Sequence, residues 1–317
     1  MRKGCGVTCG AIDHASGVQR SRLEVVRLRW LNACRSSCAG PRWRSNTHEE
    51  APMTRYIHGH AESVLRSHTW RTAENSAGYL LPELAEGLDL LDLGCGPGTI
   101  TADLAAIVYP GRVVGVDLSA EVLLKASELA SARGLTNTLF EQADLMQLPY
   151  GNASFDVVHA HQVLQHLSDP VGALREMRRV LRPGGVLAVR DADYGAMRWF
   201  PESEGLDDWQ GLYQVVARAQ GGEPDAGRRL LSWVQEAGFE DVTATASTWC
   251  YADEETRPWW GDLWAERTLK SGFAEQALVG GHATAADLEE IARAWRAWSG
   301  SLDGWFAILH GEVLARR

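Results

Sequence analysis

The stretch from Leu90 to Ile100, LLDLGCGPGTI, constrains this chain more than any other part of it. A short strand-like run, Leu90–Leu93, meets three glycines at alternate positions, Gly94, Gly96 and Gly98, and Thr99 then opens a helical pattern that stops at Pro110-Gly111. A strand that passes through a glycine turn into a helix is the unit from which parallel α/β sheets are wound. The same rhythm continues downstream. RVVGVD (112–117) reads as a second strand, and Ser119 caps a helix that Gly134 ends. Residues 137–142 read as a third strand, and FDVVHA (155–160) as a fourth, followed by a short helix through His166. Asp169-Pro170 opens a helix that ends at RPGG (182–185), and VLAVRD (186–191) is the fifth strand.

After Asp193 the alternation breaks. An insertion over 194–224 carries a helix near 207–219, and 227–239 reads as a helix leading into a sixth strand at 242–248. Helices at about 254–271 and 284–299 precede a last strand-like run, WFAILHGEVLA (305–315). The expected fold is therefore α/β: a doubly wound, mostly parallel, seven-stranded Rossmann-like sheet with helical lid insertions. Ten of the thirteen tryptophans fall between Trp199 and Trp305, in that second half, where they either pack a core or wall an aromatic pocket.

Charge narrows the function classes. The net charge of −10 conceals a basic leader: residues 1–52 hold nine Lys/Arg against four Asp/Glu, which leaves the remainder at −15. Nucleic-acid affinity rests on cations that neutralise phosphates, so an acidic body argues against a nucleic-acid partner and for a small molecule. The apolar runs are too short for a membrane-spanning helix. Cys5, Cys9, Cys34 and Cys38 form two C-x3-C pairs in the leader, but the spacing departs from that of a zinc knuckle, and no metal site is expected. Residues 1–52 read as a disordered or non-native extension, with Met53 a candidate start. Cys95 and Cys250 suggest no disulfide framework, which fits a reducing cytoplasm.

The glycine spacing decides between ligands. A dinucleotide loop places its third glycine five residues after its first, where this chain has Thr99. The D-x-G-x-G-x-G spacing from Asp92 instead resembles the class I S-adenosylmethionine (SAM)-dependent methyltransferases. GVDLS, SFDVVHAHQVLQHL and RRVLRPGG follow in the same order as in that superfamily. The resemblance covers roughly 54–317, is tightest over 88–191, and leans toward the quinone-biosynthesis methyltransferases of the small-molecule branch.

The resemblance implies SAM as cofactor and a small-molecule methyl acceptor. It implies cofactor contacts from Asp92, Gly94, Cys95, Gly96 and Gly98, with Asp117 taking the ribose hydroxyls. Asp144 would meet the adenine amino group, Leu118 and Leu145 would flank the ring, and His161 and Gln162 would lie where cofactor and acceptor meet. HTWRTAENSAGYLLP (68–82) resembles a helix that covers the cofactor, with Trp70 and Arg71 closing over its methionine end. It also implies a helical cover over 54–87, a SAM-binding core over 88–193, and lid insertions with sheet completion over 194–317. His166 is a candidate general base and Asp191 a second catalytic candidate; Asp193, Tyr194 and Arg190 adjoin it. The strand-four end reads HAHQ and lacks the (D/N)-P-P-(Y/F) of base-amine methylation. A non-catalytic SAM-binding regulator and a nicotinamide-dependent oxidoreductase are the alternatives. Oligomeric state and the acceptor atom are not legible.

Overall fold

The computed structural model describes residues 70–317; the expectations for the leader and for the stretch before Trp70 lie outside the described residues. Eight strands form one sheet: β1 (Leu90–Leu93), β2 (Val113–Asp117), β3 (Thr138–Gln142), β4 (Phe155–His161), β5 (Leu181–Ala192), β6 (Arg198–Phe200), β7 (Asp241–Tyr251) and β8 (Trp305–Arg316). The order is β3-β2-β1-β4-β5-β8, with β7 on the far side of β8 and the short β6 also against β8. The first five strands are mutually parallel, and β8 runs antiparallel to β5, β6 and β7. The eighth strand is the difference from expectation: three residues, RWF, pair with β8 where the chain leaves β5.

The helices are α1 (Ala73–Ala77), α2 (Thr99–Val108), α3 (Ala120–Ala132), α4 (Pro170–Val180), α5 (Glu204–Ala219), α6 (Leu230–Glu236), α7 (Thr256–Lys270), α8 (Gly272–Val279) and α9 (Ala285–Ser299). Their starts carry the expected chemistry. Ser119 and Asp169 accept backbone N–H groups at the heads of α3 and α4, and Pro170 occupies a first-turn position where no N–H is needed. The short helix expected at His166 is a single 3-10 turn, Leu164–His166. The helix expected at about 254–271 is α7, and Ser271 at its end caps a further helix, α8, that the sequence reading does not include.

Alternate residues of each strand serve opposite faces of the sheet. On one face Leu91, Leu93, Val158, Ala160, Leu187 and Val189 pack under α4 and α6. On the other, Leu90, Val113, Val157 and Ala188 pack under α1 and α2. A third core lies among α5, α7, α8 and α9, and reaches the sheet through Tyr251 and Phe306. Six of its tryptophans are buried: Trp209, Trp249, Trp260, Trp264, Trp295 and Trp298. Edge-to-face pairs such as Trp209–Trp295, 4.9 Å apart at 83°, set their packing. Most of these rings therefore build the lid's interior, and Trp249 is the one that also meets the polar end of the sheet.

Candidate active site

The glycine loop turns because its glycines occupy the left-handed region: φ is +63° at Gly94, +54° at Gly96 and +78° at Gly98. Space is short as well. A Cβ on Gly94 would sit 2.5 Å from Val163 Cγ2, and one on Gly98 would sit 2.7 Å from Ala126 Cβ. The loop is tied to the neighbouring strand by the Cys95 N–H, which donates to the Val116 carbonyl at 3.0 Å. Asp117 completes the link: its Oδ2 accepts the Gly96 N–H at 3.1 Å, and its Oδ1 accepts the Ser119 N–H at 3.0 Å. Its carboxylate thus stands half-buried at the mouth of the loop, at the carboxyl end of β2.

Asp92 works from beneath. It is buried; Oδ2 accepts the Thr101 hydroxyl at 2.5 Å, and Oδ1 pairs with His159 Nδ1 at 2.7 Å. Both oxygens are therefore engaged in bracing the loop between α2 and β4. Cys95 lies over Gly115, and burial, with Asp92 and Asp117 adding, pushes its thiol well above the usual range. Leu118 is 57% exposed, whereas Leu145, expected to flank the ring with it, is buried in the core under α4. Asp144 is exposed, and its Oδ1 accepts the Met146 N–H at 2.8 Å in a tight turn.

Strand four ends at His161, and the next residue, Gln162, holds a left-handed φ of +54° without being glycine. Such a conformation is strained and persists where neighbours hold it. Here the Gln162 N–H donates to the Arg190 carbonyl at 2.7 Å. Its side chain bridges two groups: Oε1 accepts from Arg71 Nη2 at 2.8 Å, and Nε2 meets His310 Nε2 at 2.9 Å. Arg71 is thereby drawn to the strand-four end. Trp70 packs against Trp249, Tyr251 and Trp259 at 5.2–5.9 Å.

Beyond Gln162 lies a buried polar ladder. Arg190 on β5 and Glu312 on β8 are register partners, and Glu312 and Thr245 on β7 are too. Arg190 Nε donates to Glu312 Oε1 at 3.1 Å and Arg190 Nη2 to the Ser247 hydroxyl at 3.1 Å; Thr245 Oγ1 donates to Glu312 Oε2 at 3.1 Å. The Arg190 guanidinium also lies 4.7 Å from the Trp249 ring centre. The sequence reading does not single out His310, Trp249 or Glu312; the signal for His310 and Glu312 is HGE (310–312), three polar or small residues inside an otherwise apolar final strand.

Asp191 is fully buried on the opposite side of β5. Its Oδ1 accepts the Gln165 N–H at 3.1 Å, so the carboxylate sits under the 3-10 turn rather than in the open. Burial pushes it up to about 7, against the pull of the Gln165, Leu164 and Val163 N–H groups. His166 is in the same turn and contacts Gln165 Nε2 at 3.0 Å. Burial, reinforced by the Arg71 charge, pushes its imidazole down to about 3, which makes it a weak proton acceptor in this arrangement. Asp193 pairs with Arg228 and caps the turn at Tyr194. Among the described residues no three His, Cys, Asp or Glu side chains are grouped to hold a metal ion. No helix of the described residues is long and apolar enough to cross a membrane.

Comparison with known proteins agrees with this geometry. Residues 84–238 match the family described as a methyltransferase domain. An uncharacterised methyltransferase of Schizosaccharomyces pombe is 36% identical over 83% of this chain and 96% of its own length. The 27-O-demethylrifamycin SV methyltransferase of Amycolatopsis mediterranei is 34% identical over 75% of this chain and 80% of its own. Among solved structures, the YcgJ protein of Bacillus subtilis shares the fold, with a TM-score of 0.53 at 18% identity, over 77% of this chain and 98% of that one.

Proposed function

The chain belongs to the SAM-dependent methyltransferases, and from that premise we propose that it methylates a small organic acceptor of quinone-like or secondary metabolism. The observation that carries the cofactor half of this reading is the Asp117 carboxylate fixed at the mouth of a loop whose glycines admit close backbone approach. The residues present fit SAM. Gly94, Gly96 and Gly98 would leave room for it, and Asp117 would accept its ribose hydroxyls. Cys95 and Leu118 would line its path, Asp144 would meet the adenine amino group, and Asp92 holds the loop from below. Arg71, linked to Gln162, would pair with its carboxylate through a charge-assisted bond.

SAM supplies a methyl group on a positively charged sulfur, already activated for displacement. The protein's task is then alignment and exclusion of water, and orientation alone accounts for roughly 7–11 kcal/mol of barrier in favourable cases. In this reading Gln162 and His161 set the acceptor side of the transfer, the segment from Trp70 to Tyr79 covers it, and the tryptophan-rich insertions over 194–317 close it. The catalytic domain spans 53–317. Asp191 holds the turn that carries His166, so both position the strand-four end. A reducing cytoplasm suits the free Cys95 and Cys250.

Incubation of the protein with methyl-labelled SAM and a small-molecule extract tests this. Label should enter the low-mass, organic-extractable fraction and stay out of nucleic acid. Tight SAM binding with no transfer to any fraction would favour a regulatory SAM-binding protein instead.

A further inference from the structure

Several buried polar atoms of one sheet face have no hydrogen-bond partner among the described residues. They are both ring nitrogens of His161, Nε2 of His159, Nη1 of Arg190, Nδ1 of His310 and the hydroxyl of Tyr79. Buried polar groups are nearly always paired, and each one left unpaired costs about 1–3 kcal/mol. These five residues lie together. His159 and His161 are two apart on β4, and Arg190 is the register partner of His161. His310 faces His161 at 6.3 Å with the rings 27° from parallel. Tyr79 comes from the cover, just after α1, and the charges of Arg190 and Glu312 are among those that act on its hydroxyl.

The chemistry of the group can be read further. Arg71 only donates, so the Gln162 oxygen faces it and the Gln162 NH2 faces His310. His310 Nε2 is then an acceptor, and its proton sits on Nδ1. The Ile308 carbonyl favours that proton slightly but lies outside hydrogen-bond geometry. Burial, with Arg190 and Arg71 adding, pushes both His161 and His310 well below the usual imidazole range, so both are neutral. Arg190 is offset by Glu312, and its Nη1, which carries two N–H groups, has no partner among the described residues. Apart from Arg71, whose charge the SAM carboxylate would offset, the cluster presents neutral donors and acceptors beside the Trp249 ring, which lies 4.4 Å from His310.

We propose that His161 and His310, with Tyr79 and Arg190, form the subsite that recognises the methyl acceptor. Its ligand is an uncharged aromatic ring bearing a hydroxyl or carbonyl oxygen. The proposal rests on the small-molecule methyltransferase reading above, and names the acceptor's chemistry and the residues that select it. The cover is tied to this face where the Trp249 Nε1–H donates to the Asn75 carbonyl at 2.7 Å.

Two probes of the same shape test it: 1,4-dihydroxynaphthalene, kept anaerobic, and 1,4-dimethylnaphthalene. Equilibrium dialysis against the full chain saturated with S-adenosylhomocysteine should show the dihydroxy probe bound about ten-fold tighter or more. Tyr79→Phe and His310→Phe should each shrink that preference, and Tyr79→Phe should leave SAM affinity unchanged. Equal affinities, no binding of either probe, or a preference that survives both substitutions would each overturn the proposal while SAM binding keeps the methyltransferase reading intact. Failure of the unaltered protein to bind SAM would defeat that reading, and this proposal with it. Should His310→Phe fail to fold, Tyr79→Phe decides, because it removes one unpaired oxygen and keeps the ring.

Discussion

Arg190 and Glu312, distant in sequence, face each other across β5 and β8 as register partners 3.1 Å apart, both buried. Removing one partner strands the other charge in a low-dielectric interior. Glu312→Leu is expected to destabilise the fold by about 3–5 kcal/mol, and the joint change Arg190→Met with Glu312→Leu to recover most of it. Chemical denaturation of the three proteins checks this; a joint variant no more stable than the single one would contradict it.

Asp117→Ala should weaken SAM binding by roughly 1.5–3 kcal/mol, because the ribose loses a charged acceptor and the Gly96 N–H loses its anchor. Calorimetry reads the effect directly. Unchanged affinity would remove Asp117 from the ribose site.

Asp191 gives stability a pH dependence of definite sign. Its folded pKa of about 7 lies above the unfolded value of about 3.9, so the native state keeps a proton that the unfolded chain releases. Its contribution is complete below about pH 4 and is lost as pH rises toward 7. Asp191→Asn should flatten the melting temperature over that window. A slope as steep in the variant as in the parent would refute the assignment.

His166 acts in the opposite direction. Held at about 3 in the fold against about 6.5 unfolded, it contributes stability above pH 6.5 that is lost as pH falls toward 3. His166→Gln should remove that acid-side loss. It should also leave kcat within about ten-fold of the parent, since general-base catalysis typically supplies 10²–10⁴-fold. A larger fall in kcat, with an ionisation near neutral pH in the parent's rate profile, would restore His166 as the base.

What was legible in advance follows from the range of the forces involved. β1, β2 and the Val186–Val189 part of β5 are short, largely apolar runs beside glycine or proline, so local chemistry marks them. The glycine loop was legible for the same reason, since three left-handed residues in five positions admit little else. β6 was not, because RWF pairs only when Trp305–Ala307 arrives beside it. Arg190 reads from sequence as an orienting or paired residue, but its partner lies on a strand that only the folded sheet brings near. Asp92 looks like a ligand contact from its place in the motif, and only the positions of Thr101 and His159 show both its oxygens engaged.

β8 has a consequence for the order in which the protein can assemble. A ribosome delivers residues 305–316 after every strand they join, so β5 and β7 wait as open edges, with Arg190 unneutralised, until synthesis has passed Glu312. The SAM-binding half can gather early from neighbouring strands. The half proposed to select the acceptor can close only once β8 has arrived, and an unfinished chain would expose those two edges to other proteins.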